Sequence, residues 1–249
     1  MKKNKTLSLI TLLGLLIAIP VITGVFQRSG FELRISALEE DEPRNVVISD
    51  IRSTNFKVTW ITEREVIGGI LMDDGTQFNE SSKSSYHTVK VEGLKANSKY
   101  TFKMLSGTKE WTMETGEDYS ATTSGVPEST DKFLVYGQVF SPDGFSFQQG
   151  GIIEMSLSSG SDKSQTVSAV INETGGYQFD LGGLLNSTLT RKFAYKQEVE
   201  ADLKVYIAHN QEGVEKTYSI DFLNQRQIQN IYLGEVNIDV IPGIEGEEQ

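Results

Sequence analysis

The chain has 249 residues, of which 38% are hydrophobic, with a formal charge of −11 and no cysteine. The absence of thiols excludes disulfides, thiolate nucleophiles, Cys-ligated zinc and lipid attachment at an N-terminal cysteine. An acidic body repels phosphate backbones, so nucleic acid is not expected as a partner.

The charge is uneven along the chain. Residues 1–37 carry five basic residues against Glu32 alone, a balance of +4, and the other 18 basic and 33 acidic residues leave −15. Lys2, Lys3 and Lys5 precede an uncharged run from Thr6 to Phe26. Twenty-one helical residues would rise ~31 Å, about the thickness of a bilayer's hydrocarbon core. The run is longer than a signal peptide's apolar core, and no small-residue cleavage pattern follows it. The expectation for residues 1–29 is therefore a membrane anchor or uncleaved signal, with the lysines cytoplasmic and the acidic body outside. If the segment is cleaved, the body is secreted.

Residues 30–42 are polar without a sustained apolar period and read as a short stalk. From residue 43 the pattern changes to short runs rich in β-branched and aromatic residues: NVVISDI, FKVTWIT, VIGGILM, YHTVKV and KYTFKML, separated by turn material such as RSTN and DDGT. Alternation puts Phe56, Val58 and Trp60 on one face of their strand and Lys57, Thr59 and Ile61 on the other. In YHTVKV, His87, Val89 and Val91 share a face opposite Tyr86, Thr88 and Lys90. The small and polar segment 124–132 reads as a linker. Strands resume over 133–240 with FLVYGQVF, GGIIEMSLS, TVSAVIN, GYQFDLG, ADLKVYIAHN, KTYSIDF and IQNIYLG. Between them, 182–198 alone has weak helical character. Residues 241–249 form an acidic tail. The fold class expected is all-β: two tandem β-sandwich domains, 43–123 and 133–240, after an N-terminal transmembrane helix.

The 43–123 unit resembles a fibronectin type III domain, in particular the variant that precedes the catalytic domain of purple acid phosphatases. The residues that carry the resemblance are the first strand after Pro43, the core tryptophan Trp60, and Leu94 six residues before Tyr100. The resemblance implies that the Tyr100 hydroxyl bonds back to the corner backbone. Ala96 stands where the family often has proline. The second unit is similar to carboxypeptidase regulatory-like, transthyretin-type sandwiches, through VYGQVFSPDG, the apolar strand GGIIEMSLS and the later GYQFD strand. The whole layout resembles membrane-anchored surface proteins of candidate-phyla bacteria, which implies location and architecture more than activity.

Chemistry is sparse. The only histidines, His87 and His209, fall in different expected domains without an H-x-H or H-E-x-x-H partner. No G-x-S-x-G elbow is present, and the metal-ligand motifs of purple acid phosphatases do not follow the first unit. Asp73-Asp74-Gly75 reads as hairpin-turn chemistry in preference to a calcium loop. The N-x-S/T sequons at Asn79, Asn172 and Asn186 are read as chance. No catalytic, cofactor-binding or metal-ligating residue is expected, and no cofactor. The candidate ligand contacts are the loop aromatics Trp111, Tyr119, Phe145 and Phe147, weighed against a role in closing the sandwich ends. The function expected is a non-enzymatic surface protein acting in adhesion, spacing or protein–protein contact at the cell envelope. Its partners would be the membrane, through the N-terminal helix, and an envelope protein or glycan. The alternative is an accessory carbohydrate-binding module serving a separate hydrolase.

Overall fold

Alternating apolar residues turn most of the predicted runs into strands, with two separate cores. The computed structural model describes residues 39–195, 199–207, 210–221 and 225–234. The expected anchor, the stalk before residue 39, His209 and the acidic tail lie outside the described residues. From Glu40 onward the described residues belong to one compact unit. They contain strands and turns and no α-helix.

In the first sandwich β1 (Arg44–Ser49), β2 (Phe56–Val66) and β5 (Ser84–Val91) form one sheet in the order β1-β2-β5. The facing sheet has the order β4-β3-β6-β7, from β3 (Gly68–Met72), β4 (Gln77–Asn79), β6 (Lys99–Ser106) and β7 (Lys109–Trp111). A further strand, β8 (Tyr119–Thr122), also pairs with β6, taking its Lys99–Phe102 half while β7 takes Met104–Ser106. Thus β7 and β8 act as one last strand interrupted by a loop. The core between the sheets is built from Phe56, Val58 and Trp60 of β2, Val89 and Val91 of β5, Ile70 of β3, and Phe102 and Met104 of β6. This is the alternation expected of a sheet that buries one face.

The corner after β5 is held by the Leu94–Tyr100 pair. The Lys95 N–H donates to the Tyr100 hydroxyl at 2.7 Å, and Leu94 packs against the core while its N–H donates to the Thr54 carbonyl. Asp73-Asp74-Gly75 makes the β3–β4 turn. Gly75 takes φ +84°, and the Asp74 carboxylate accepts from the Thr76 N–H at 2.9 Å. That bond holds the Asp74 carboxyl below its usual range.

In the second sandwich β10 (Ile152–Ser159) is flanked on one side by β11 (Asp162–Lys163) and β12 (Val167–Val170). On its other side lie β14 (Val199–Ile207) and then β15 (Asn210–Ile220). The facing sheet has the order β13-β9-β16, from β9 (Leu134–Phe140), β13 (Gly176–Asp180) and β16 (Ile231–Tyr232), with β16 parallel to β9. Ile153, Met155 and Leu157 of β10 meet Val135 and Val139 of β9 and Phe179 of β13 in its core. Opposite Tyr177, Gly137 has no side chain to collide with the phenol: a Cβ there would sit 2.3 Å from the Tyr177 hydroxyl.

The helical reading of 182–198 is corrected for the residues described there. Leu185 bridges Lys192, and the buried Asn186 side chain organises the turn between them. Its carbonyl accepts from the Thr190 and Arg191 N–H groups, and its amide donates to Thr188. An asparagine that satisfies local backbone in this way favours a turn over a helix. The same bonds occupy the sequon nitrogen at Asn186.

Replacing Tyr100 with Phe should remove the corner hydrogen bond at a cost of about 1 kcal/mol. Urea unfolding measures it, and an unchanged midpoint would contradict the role given to the hydroxyl.

Candidate functional site

The outer face of β1 and β2 is not a solvent face. Thr59 and Ile61, which alternate with the core residues of β2, are 0% and 4% exposed. What covers Thr59 is β12 of the second sandwich. The Ser168 hydroxyl lies 2.6 Å from that of Ser49 and accepts from the Thr59 hydroxyl at 3.2 Å, and all three residues are buried. Lys57 extends along the same face, donates to the Ser168 carbonyl and pairs with Asp50 at 2.6 Å.

Backbone and side-chain bonds extend this seam on both sides. The Asp50 N–H donates to the Thr166 carbonyl at 3.2 Å. The Gln165 side chain binds both polar groups of Ile51, accepting from its N–H at 2.8 Å and donating to its carbonyl at 3.0 Å. An amide is the one side chain that can reproduce a strand's donor–acceptor pair in this way. Arg52 donates to the Gly182 carbonyl at 2.5 Å, and the Ser124 hydroxyl to the Leu189 carbonyl at 2.7 Å. Glu128, in the segment read as linker, accepts from Asn55 at 2.8 Å and from the Thr54 hydroxyl at 2.5 Å. Tyr86 closes against Gly150, where a Cβ would meet the ring at 2.2 Å.

Clefts flank the seam. One, of about 450 Å³, lies between Arg52, Lys90, Asp131 and Asp180 and is charged with both signs. Another, of about 810 Å³, runs from Lys57 and Thr88 to Tyr136 and Gln178. Among the described residues, no group of histidine, aspartate and glutamate is placed to hold a metal ion.

The four candidate aromatics do not come together. Trp111 is the last residue of β7 and Tyr119 the first of β8, so both stand at the edges of the loop between these strands. Each packs against the first core. Tyr119 stacks on Phe102 at 5.8 Å, and burial pushes its phenol pKa up. The Trp111 indole nitrogen is buried, and Lys109 stands 5.9 Å over the ring. Pairing with β6 pulls both rings inward. Phe145 and Phe147 do occupy a loop and are 78% and 44% exposed. That loop is built around Asp143, whose carboxylate accepts from the Phe145 and Ser146 N–H groups at 2.9 Å each. Bonds from Ser146 and then Phe145 hold the Asp143 carboxyl below its usual range. Phe147 leans on Phe140, which stacks on Tyr232 at 4.9 Å.

His87 is fully buried, on the face shared with Val89 and Val91. Its ring stacks on Trp60 at 4.8 Å. Its Nδ1 lies 2.6 Å from Glu80 and its Nε2 2.9 Å from the Thr62 hydroxyl. Glu80 also accepts from the N–H groups of Thr88 and Gly68. Gly68 is needed at this point, because a Cβ there would meet His87 and Trp60 at 2.5 Å. Both ring nitrogens are thus occupied inside the core, and the imidazole has no open position for a substrate.

Sequence reasoning missed the seam and the exposed Tyr136. Its signal was small: hydroxyl residues at Ser49, Thr59 and Ser168, with Thr59 on the face of its strand opposite the core residues.

No protein-family model and no curated protein sequence matches the chain. Among solved structures, a segment of chicken CNTN1 with three fibronectin domains is 11% identical over 76% of this chain and 67% of its own, with a TM-score of 0.24. A two-domain fibronectin type III segment of chicken tenascin is 9% identical over 72% of this chain and 100% of its own, with a TM-score of 0.24. The major pilin subunit BcpA of Bacillus cereus is 11% identical over 78% of this chain and 70% of its own, also at 0.24. Superposition at that level carries no argument of its own. The fibronectin type III-like character of the first sandwich lies in its β1-β2-β5 and β4-β3-β6 sheets and in its tyrosine corner.

Replacing Ser168 with Val should leave the Ser49 and Thr59 hydroxyls buried without that partner, at a cost of about 1–3 kcal/mol. Calorimetric unfolding reads the loss, and a change within about 0.5 kcal/mol, typical of a surface site, would count against a buried seam.

Proposed function

We propose that the chain is a non-enzymatic, membrane-anchored surface protein whose two sandwiches act as one stiff spacer at the cell envelope. The observation that carries this reading is the seam. Domains joined only by a linker move relative to each other by default. Here buried hydroxyls, the Gln165–Ile51 pair and the Arg52 bond tie the sandwiches at several points. A rigid element of this kind suits adhesion or spacing, where a presented surface must stay at a set distance and angle.

In this reading the run from Thr6 to Phe26 is the anchor, with the lysines inside and the acidic sandwiches outside. The second sandwich is of the carboxypeptidase regulatory-like, transthyretin type, a view supported by the order of its Gly137–Val139 strand, Asp143–Gly144 turn and Tyr177–Phe179 strand. The non-catalytic assignment rests on the enclosed His87 and on the dispersal of titratable groups.

Alkaline extraction should leave the protein in the membrane fraction, and protease added to intact cells should remove the sandwiches. Release by alkali, or full protection from protease in intact cells, would contradict the anchored, outward-facing arrangement.

A further inference from the structure

The outer face of the β13-β9-β16 sheet carries a row of side chains that the spacer role leaves unused. Tyr136 is 49% exposed there. Its register partner on β13 is Gln178, and on its other side it bridges Gln227 in parallel. Neighbouring strands are spaced about 5 Å apart, so the phenol stands between two exposed primary amides. Gln138 follows two residues along β9 on the same face. The amides of Gln138, Gln178 and Gln227 make no side-chain hydrogen bond to any described residue. The row opens into the 810 Å³ cleft beside the seam, where Thr88 of the first sandwich forms the opposite wall.

We infer that this row and cleft bind an uncharged carbohydrate chain. An exposed ring offers a flat face to the C–H side of a sugar. Flanking amides offer donors and acceptors together, which matches hydroxyls and neither anions nor cations in particular. The nearest charge on this face, Asp180 opposite Leu134, is engaged elsewhere, accepting from the Phe133 and Gly182 N–H groups at 3.1 and 2.9 Å. Among the described residues, the one ionised side chain in the cleft wall, Lys57, is already held by Asp50 and the Ser168 carbonyl. A protein partner would require an apolar anchor pocket, and here amides interrupt the aromatic surface at each step. The inference shares the seam with the spacer reading, because Thr88 of the first sandwich walls the cleft, but Tyr136 and the three amides make none of the seam's bonds, so their variants test binding without loosening the joint.

The test uses the full chain in a detergent without a sugar headgroup, titrated calorimetrically with maltohexaose, cellohexaose, the hexamer of N-acetylglucosamine and hexagalacturonate. At least one neutral hexamer should bind, and Tyr136→Ala should weaken it about tenfold at an unchanged melting temperature. Phe145→Ala should leave binding as it was. If Tyr136→Ala lowers the melting temperature, the double variant Gln178→Ala with Gln227→Ala serves in its place and should give the same loss. No binding by any neutral hexamer, tighter binding of hexagalacturonate, or affinity unmoved by the variants would each overturn the inference.

Discussion

Three buried hydroxyls, on Ser49, Thr59 and Ser168, hold the position of one sandwich on the other. Burying a hydroxyl without a partner costs about 1–3 kcal/mol, so each depends on the others staying in register. The constraint is directional. An apolar contact between the same strands would tolerate sliding, whereas a 2.6 Å hydroxyl pair and a two-point amide pair at Ile51 do not. Lys57 adds an ion pair that is mostly shielded and a bond to the strand that carries Ser168. The seam thus restricts orientation more than it adds adhesive energy.

This restriction has consequences on both sides. Within the first sandwich, β12 covers the outer face of the sheet at Ser49 and Thr59, which accounts for the burial of Thr59, while Thr88 and Lys90 of β5 stay exposed. On the far side, the seam sets the distance between Thr88 and the Tyr136 row, so the cleft between them has a defined width. Inside the first core a second polar group is enclosed in a comparable way. His87 is gripped by Glu80 and Thr62 against Trp60, in space that Gly68 leaves open. Both cases place polar side chains where they fix geometry.

Much of the architecture was legible from alternation alone. The runs FKVTWIT, YHTVKV and KYTFKML became β2, β5 and β6 because residues with period 2 bury one face. The Leu94–Tyr100 spacing located the corner through its resemblance to the tyrosine corner of fibronectin type III domains, and the Lys95 N–H bond to the phenol follows it. The short β4, β7, β8 and β11 were not legible, because two to four residues carry too little periodicity. Helical character over 182–195 was a misreading, because a buried asparagine there serves a turn. The candidate site was the least visible part. Period 2 says which residues share a face and is silent on what covers it. The alternation that put Thr59 opposite Trp60 could not show β12 lying over it, and the position of Trp111 and Tyr119 beside a loop did not show that pairing with β6 draws their rings inward. Tyr136 stands in an ordinary alternating strand, and only the register of β13 and Gln227 shows its amide neighbours.

Stiffness across the seam is the central claim, and a cysteine-free chain makes it easy to measure. Spin labels on Lys99→Cys in β6 and Glu200→Cys in β14 would report the separation of the two sandwiches by double electron–electron resonance. A single narrow distance distribution, broadened when Ser168→Val and Arg52→Ala are combined, is the result predicted. A broad or multimodal distribution in the otherwise unaltered protein would contradict it.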